Sequence, residues 1–290
     1  MMPGGAPQGT LLGVICFIVK FNGALLRPAI ERPLIDDLRA TKAKYMDDLS
    51  VAVRILSGEN GENYMQRILS DLNCFTEANG MKINQSKSKY MIFSRLKVKP
   101  GPLSLCFNGQ NNLEEIKSIK LLGIMIANNL KWDMNTEYIC SKARKKIFLL
   151  RNMKLSGLNT AQLLDAYKKE VRSLLELAVP VWNSGLTHDQ IRVIERVQKS
   201  SLSAILGNRY TSYEEALQLT KLDKLSARRE IICQKFIKKN VFSDYPLLEF
   251  VKRSYNTRRG PNFVQEYQCR KTAFFDSGLP YLARLYNANI

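Results

Sequence analysis

The sequence predicts an α+β fold in which a small β-rich region is followed by a helical region. The first observation is that apolar and polar residues alternate over residues 49–54, which is the period of a half-buried strand. The second is that apolar residues beyond residue 130 recur every three or four positions, the spacing of amphipathic helices. At roughly 150 residues per domain, 290 residues correspond to about two domains.

The β-rich region is predicted to begin with a Gly/Pro-rich loop, a helix capped by Thr10 and a surface loop over residues 27–41. A strand hairpin follows around Met46-Asp47-Asp48, and a helix over residues 62–79 ends at Gly80. The remaining strands are predicted at residues 81–84, 89–93, 103–107 and 120–126, with a turn at Asn108-Gly109.

The helical region is predicted to begin with a helix over residues 138–153 and to continue in a helix from Thr160 to Pro180. Two capping boxes, Thr187 with Gln190 and Ser212 with Glu215, mark further helix starts. The first of these helices is predicted to run to Gly207, and a basic helix occupies residues 223–240. The last 40 residues have weak periodicity and are expected to be a partly ordered tail. The predicted domains are residues 1–130, 131–210 and 211–290.

The chain is strongly basic. Its 44 Lys and Arg residues outnumber 26 Asp and Glu residues, a net charge of +18, and every third of the sequence has a basic excess. This distribution favours a polyanionic partner, with nucleic acid first and an anionic membrane second. Six widely spaced cysteines and a single histidine exclude a structural zinc site and favour a reduced protein of the nucleus or cytoplasm.

One apolar stretch, residues 11–19, raises the possibility of a membrane segment. It falls well short of the ~20 residues that span a bilayer, so we interpret it as a buried helix. A peripheral membrane protein that uses this stretch together with the positive charge is the weakest of three hypotheses for the chain.

Two adjacent carboxylates, Asp47 and Asp48, fall at the predicted hairpin turn. A divalent cation would relieve their repulsion, and hard oxygen ligands suit Mg²⁺, with Mn²⁺ as a substitute. Two such ions can activate a hydroxyl nucleophile and stabilise a leaving pyrophosphate. An Asp-Asp pair is also an ordinary polar turn, because Asp bonds readily to nearby backbone. The surrounding motifs decide between the two interpretations.

Four short motifs follow one another in the order of a reverse-transcriptase palm. They are residues 5–10 (GAPQGT), Tyr45-Met46-Asp47-Asp48, the segment from Asn84 to Lys87, and Leu121-Leu122-Gly123-Ile124. Residues 130–151 resemble the start of a helical thumb, and residues 171–186 and 277–287 resemble later parts of such elements. The chain therefore resembles, over nearly its whole length, the reverse transcriptase of a jockey-like non-LTR retrotransposon.

The resemblance implies a partial polymerase palm followed by a helical thumb and a basic C-terminal region. It assigns metal binding and catalysis to Asp47 and Asp48, template and nucleotide positioning to Gln8 and Gly9, nucleotide-phosphate binding to Lys87, and primer contact to Leu122 and Gly123. It also implies Mg²⁺ as cofactor, an RNA template, a DNA primer and deoxynucleoside triphosphates as partners.

The sequence departs from the family at its start. In the family, a motif upstream of the PQG loop supplies a third metal-binding Asp, and no counterpart precedes Met1. We therefore expect a 5′-truncated copy that polymerises poorly or not at all alone, because catalysis depends on a complete and positioned site. Asp36 and Asp37 are candidates to replace the missing carboxylate, although the pair also fits an exposed loop.

A basic helix is the candidate surface for the nucleic-acid backbone. Lys142, Lys145 and Lys146 are predicted to hold phosphates without reading sequence, although a solvated helix face explains the same run. Further basic pairs add to this surface: Arg228-Arg229, Lys238-Lys239, Lys252-Arg253 and Arg258-Arg259.

The leading hypothesis is a fragment of an RNA-directed DNA polymerase that binds template–primer. The alternative is a non-catalytic basic module that binds nucleic acid. Trp132 and Trp182 are interpreted as packing residues and His188 as a turn residue.

Overall fold

The computed structural model describes residues 28–29, 32–33, 40–45, 48–53, 55, 61–94, 101–107, 110–240, 264 and 276–288. The chain divides into two compact units, Met1–Lys117 and Ser118–Ile290. Both helices and small sheets are present, so the predicted α+β class is confirmed. The three-domain division predicted at residues 130 and 210 stays a prediction.

Short strand pairs make up the described sheets of the first unit. The strands are β1 (Pro28–Ala29), β2 (Arg32–Pro33), β3 (Ala40–Tyr45), β4 (Asp48–Val53), β5 (Lys89–Tyr90), β6 (Cys106–Phe107), β7 (Gln110–Asn112) and β8 (Glu114–Glu115). β5 pairs with β8 in parallel, and the other pairs, β1–β2, β3–β4 and β6–β7, are antiparallel. The predicted hairpin around residues 46–48 is thus confirmed in its two strands.

A loop prediction and a strand prediction for this unit were wrong. The segment over residues 27–41, predicted as a loop, contains the small β1–β2 pair. The strand predicted over residues 81–84 is absent, and a 3₁₀ turn, Gln85–Lys87, follows directly. Asn84 caps this turn with its side chain, a local bond that competes with strand formation.

The core of the first unit forms between one helix and β6. Helix α1 (Gly61–Ala78) ends before Gly80, whose φ of +63° suits the left-handed end of a helix. Gln66 joins the helix to the sheet, because its side chain both donates to the Cys106 carbonyl (2.8 Å) and accepts from the Cys106 amide (2.9 Å). The described core residues are Leu105, Phe107 and Leu113, with Met65, Leu69, Ile83, Tyr90 and Leu103 packed against them.

The second unit begins with an antiparallel hairpin, β9 (Ser118–Leu121) and β10 (Ile124–Ala127). Its helices are α2 (Asp133–Leu155), α3 (Thr160–Ala166), α4 (Ser173–Leu175), α5 (Val179–Trp182), α6 (His188–Leu206), α7 (Tyr213–Thr220), α8 (Leu225–Asn240) and α9 (Gly278–Asn287). A π-helical segment, Tyr167–Arg172, connects α3 and α4.

Three predictions for this unit need correction. The single strand predicted over residues 120–126 is the β9–β10 hairpin. The long helix from Thr160 ends at Leu175, and Pro180 lies in the first turn of α5, where its missing N–H costs nothing. The C-terminal segment, predicted as a weakly ordered tail, includes α9, whose buried face contacts α8 and α5.

The core of the second unit lies between α2, α6, α8 and the segments that connect them. Trp182 is fully buried and donates from Nε1 to the Leu177 carbonyl at 2.8 Å. Trp132 is half-buried beside Gly185, where a Cβ would lie 2.6 Å from the indole nitrogen. Both tryptophans are packing residues, as predicted. The capping box of Thr187 and Gln190 is also confirmed at the start of α6.

Candidate nucleic-acid interface

Asp48 begins β4 and is the register partner of Tyr45, the last residue of β3. Its side chain is exposed and has no ion-pair partner among the residues that the structure describes. A carboxylate with free oxygens at the end of a hairpin fits the hard-ligand preference of Mg²⁺. Asp47, the other member of the pair, lies outside the described residues.

Other members of the predicted catalytic site also fall outside the described residues. They are Gln8, Gly9, Asp36 and Asp37. Within the described part of the chain, no three His, Cys, Asp or Glu side chains are grouped so that they could hold a metal ion.

Lys87 occupies the end of the 3₁₀ turn, and its side chain is exposed. The Asn84 side chain accepts a hydrogen bond from the Lys87 amide at 3.3 Å. The spacing between the asparagine and the lysine is thus explained by a local cap, because such a side chain reaches the amide three residues on. This cap fixes the backbone of Lys87 and leaves its ammonium group accessible to an anion.

Leu122 and Gly123 form the turn between β9 and β10, with φ values of +47° and +89°. A two-residue turn with two positive φ angles matches the twist of a hairpin and usually contains Asn or Gly. A leucine there is unfavourable, and its side chain is 53% exposed. Gly123 packs closely, since a Cβ would lie 2.9 Å from Leu177 Cδ2. Backbone strain with an exposed apolar side chain is typical of a contact site.

The three predicted phosphate-binding lysines lie on α2 in different environments. Lys145 is exposed. Lys146 donates to Glu170 Oε2 at 2.8 Å, so its charge is partly balanced within the protein. Lys142 lies over the ring of Tyr138, 5.1 Å from the centroid. Within the described residues, Lys146 alone of these three lysines is paired with a carboxylate, so the helix offers one free cation fewer at the predicted positions than the sequence indicates.

An exposed face of α2 adds apolar residues to the predicted basic run, which already contained Arg144 and Lys145. Arg144, Phe148, Arg151 and Leu155 follow one another at intervals of four, three and four residues, which puts them on one side of the helix. Phe148 is 66% exposed and Leu155 86% exposed. The opposite side of α2 packs into the core.

The charges of this face are not balanced by the protein. Arg144 and Arg151, together with the neighbouring Lys145, have no carboxylate partner within the part of the chain that the structure describes. Cations with an exposed aromatic ring between them can bind phosphates and stack on a base. We name Arg144, Lys145, Phe148 and Arg151 the outer face of α2.

Arg228 and Arg229, which the sequence suggested as part of the nucleic-acid surface, have structural roles instead. Arg228 donates to both oxygens of Glu176, at 2.6 and 3.1 Å. Arg229 is 1% exposed and donates from Nε to Asn183 Oδ1 at 2.9 Å. Burial lowers the pKa of the Arg229 guanidinium from its usual value. Neither arginine is available to a phosphate backbone.

A buried polar network lies near these arginines. The Tyr167 hydroxyl donates to Gln198 Oε1, and the Gln198 amide donates to the Tyr213 hydroxyl at 2.9 Å. Tyr213 in turn donates to Glu195, which also accepts from the Leu225 amide at 3.0 Å. Burial raises the pKa of both phenols, so they remain neutral donors. The network joins the π-helical segment to α6, α7 and α8.

Lys252-Arg253 and Arg258-Arg259 lie outside the described residues, as does the apolar stretch of residues 11–19. Of the helices that the structure describes, none combines the length and apolar character needed to cross a membrane. Comparisons of the chain with protein-family models, with curated proteins and with solved structures gave no match. The interpretation of the site therefore rests on the residues of this chain.

Proposed function

We propose that the chain is part of an RNA-directed DNA polymerase of the non-LTR retrotransposon type, and that it binds template–primer nucleic acid. The observation that carries the binding part is the outer face of α2. It combines three unbalanced cations with an exposed phenylalanine on a helix whose other side is anchored in the core. Phosphates are the partner that such a surface fits by charge.

The catalytic part of the proposal rests on the four sequence motifs and on the β3–β4 hairpin. Asp47 and Asp48 would hold Mg²⁺, which supplies charge stabilisation for nucleotidyl transfer when bound. Lys87 would orient the phosphates of a deoxynucleoside triphosphate, together with Gln8 and Gly9. Leu122 and Gly123 would contact the primer end. In this proposal the chain supplies part of a two-metal site.

Salt-dependent binding tests the interface. The anisotropy of a labelled RNA–DNA duplex is measured at increasing KCl for the wild-type chain and for the variant R144A/K145A/R151A. The slope of log K against log salt is negative, and each lost phosphate contact makes it shallower by about one unit. We therefore expect the slope of this variant to be shallower by about three units than that of the wild type.

A control variant, R196A/K199A/K235A, removes the same charge from exposed positions on α6 and α8. We expect its slope to stay close to that of the wild type. Equal losses in both variants would show that overall charge, and not the outer face of α2, determines binding.

Primer extension tests the catalytic part. An RNA template with a DNA primer is supplied in Mg²⁺ or Mn²⁺ to the wild type, to Asp47→Asn and to Asp48→Asn. Extension that disappears in both variants but persists in Asp223→Asn, an exposed carboxylate of the second unit, supports the metal role.

The second candidate function is a non-catalytic module that binds nucleic acid. The observation that favours it is that the unbalanced cations belong to the helical unit, which has its own extensive core. Under this function, duplex binding persists, no extension occurs in either metal, and Asp47→Asn changes nothing. That combination would reject the catalytic part while leaving the interface intact.

A further inference from the structure

Two lysines from different elements of the second unit converge on one tyrosine. Lys120 lies in β9, and its Nζ is 5.4 Å from the centroid of the Tyr138 ring. Lys142 follows Tyr138 by one helical turn on α2, and its Nζ is 5.1 Å from the same centroid. Both lysine side chains are exposed, and the tyrosine is half-buried.

The positions of the two elements are held by a buried asparagine. Asn135, at the start of α2, accepts a hydrogen bond from the Met125 amide of β10 at 3.1 Å. Met125 is the register partner of Lys120, so the bond ties the lysine-bearing part of the hairpin to the helix. The convergence therefore depends on fixed backbone elements and not on two long side chains alone.

The charges of this cluster are unbalanced. Neither Lys120 nor Lys142 has a carboxylate partner within the part of the chain that the structure describes. Two ammonium groups around one ring repel each other, and an exposed cation–π contact offsets little of that repulsion. Hydrogen bonding to Lys120 and then to Lys142 lowers the pKa of the Tyr138 phenol. An anion between the lysines would offset the repulsion, and the phenol would supply a further hydrogen bond.

We propose that Lys120, Tyr138 and Lys142 form a binding site for one phosphate group of a nucleic-acid strand. That the phosphate belongs to a nucleic-acid strand rests on the proposed function. Two ammonium groups and a hydroxyl are donors to phosphate oxygens, and charge-assisted hydrogen bonds of this kind are among the stronger ones. The site adds a residue of β9 to the predicted nucleic-acid interface, which did not include this strand.

The first arm of the test uses the duplex. The salt slope is measured for the full chain and for K120A/K142A, with K199A/K235A as a control that removes two exposed lysines elsewhere in the second unit. We expect the negative slope to become shallower by about one unit in K120A/K142A and to stay near the wild-type value in the control. Tyr138→Phe should weaken binding by two- to fivefold and leave the slope unchanged.

The second arm uses inorganic phosphate and does not depend on nucleic acid. The protein is labelled at tyrosine ¹³Cζ, and the Tyr138 signal is assigned by its loss in Tyr138→Phe. We expect phosphate to raise the pH midpoint of Tyr138 relative to NaCl of equal ionic strength, because a bound anion cancels the effect of the lysines. K120A/K142A should abolish this difference.

The outcomes separate the two proposals. A phosphate-dependent midpoint without salt-dependent duplex binding supports the anion site and overturns the nucleic-acid function. Duplex binding with an unchanged slope in K120A/K142A, and no effect of phosphate on Tyr138, overturns the site and leaves the proposed function standing. Equal slopes in K120A/K142A and in the control also reject the site.

Discussion

The two units of the chain differ in how their candidate sites are supported. In the first unit, the described core consists of a few residues between α1 and β6, and Asp48 lies on a separate two-stranded hairpin. In the second unit, the outer face of α2 belongs to a helix that packs against α6 and the π-helical segment in an extensive core. Among the described residues, the carboxylate proposed for chemistry and the cations proposed for binding therefore depend on cores of very different size.

The cores themselves provide the largest test of this comparison. Phe107→Ala and Trp182→Ala each remove a buried aromatic side chain, and such changes cost about 3–5 kcal/mol. We expect Phe107→Ala to abolish amide protection over α1 and Trp182→Ala to leave α2 and α6 protected. Hydrogen exchange read by mass spectrometry measures both. Retained protection of α1 in Phe107→Ala would show that the first unit is more robust than its described core indicates.

The reactivity of the cysteines provides a second comparison of the two units. Cys74 is exposed on α1, whereas Cys140 and Cys233 are fully buried in the second unit. Burial raises the pKa of each buried thiol to about 11, which leaves roughly a hundredfold less thiolate than an ordinary cysteine at pH 8. We therefore expect iodoacetamide to label Cys74 at least a hundredfold faster, as peptide mapping would show. Comparable rates would mean that the second unit opens readily.

The same two thiols make stability depend on pH. Their pKa is higher in the folded state than in the unfolded state, so the unfolded chain loses its protons first as the pH rises. Their contribution is complete below pH 9 and is lost between pH 9 and about 11. Urea unfolding of the second unit should show a steeper fall in this window for the wild type than for C140A/C233A, because the buried phenols of Tyr167 and Tyr213 contribute a fall to both proteins.

A smaller effect is expected in the buried polar network. Tyr167→Phe removes a hydroxyl that donates to Gln198 and leaves that acceptor unpaired inside the protein. We expect a loss of about 1–3 kcal/mol in the free energy of unfolding, measured in urea. Gln198→Leu in the Tyr167→Phe background should not recover this loss of stability, since Gln198 also donates to the Tyr213 hydroxyl and to the Asp223 carbonyl, and both acceptors would lose a donor. A loss below that of a half-buried control, Tyr138→Phe, would contradict the role of the network.

The smallest effect is expected at the β9–β10 turn. Leu122→Asn places a residue that tolerates positive φ at a position with φ of +47°, so we expect a gain of about 0.5–1 kcal/mol in stability. If Leu122 contacts the primer, the same change weakens template–primer binding while it stabilises the fold. Urea unfolding measures the change in stability, and fluorescence anisotropy measures the change in template–primer binding. A gain in stability without loss of binding would remove Leu122 from the interface.

Much of the local structure was predictable because it depends on near neighbours in the sequence. The β3–β4 hairpin, the end of α1 at Gly80 and the capping box of Thr187 follow from alternation, glycine conformation and side-chain caps. The predictions that failed concern segments whose local sequence is compatible with more than one secondary structure. Residues 120–126 are apolar enough for one strand, yet the chain reverses at Leu122-Gly123.

The basic residues show most clearly what sequence could not decide. The sequence by itself determined the charge of +18, the order of the motifs and the helical spacing of α2. The tertiary structure alone decided which cations are free: Arg228 and Arg229 pair with Glu176 and Asn183, whereas Arg144 and Arg151 face solvent. The physical reason is that charge is a property of a residue, whereas its burial and its partners depend on segments distant in sequence. The convergence of Lys120 and Lys142 on Tyr138 has the same origin.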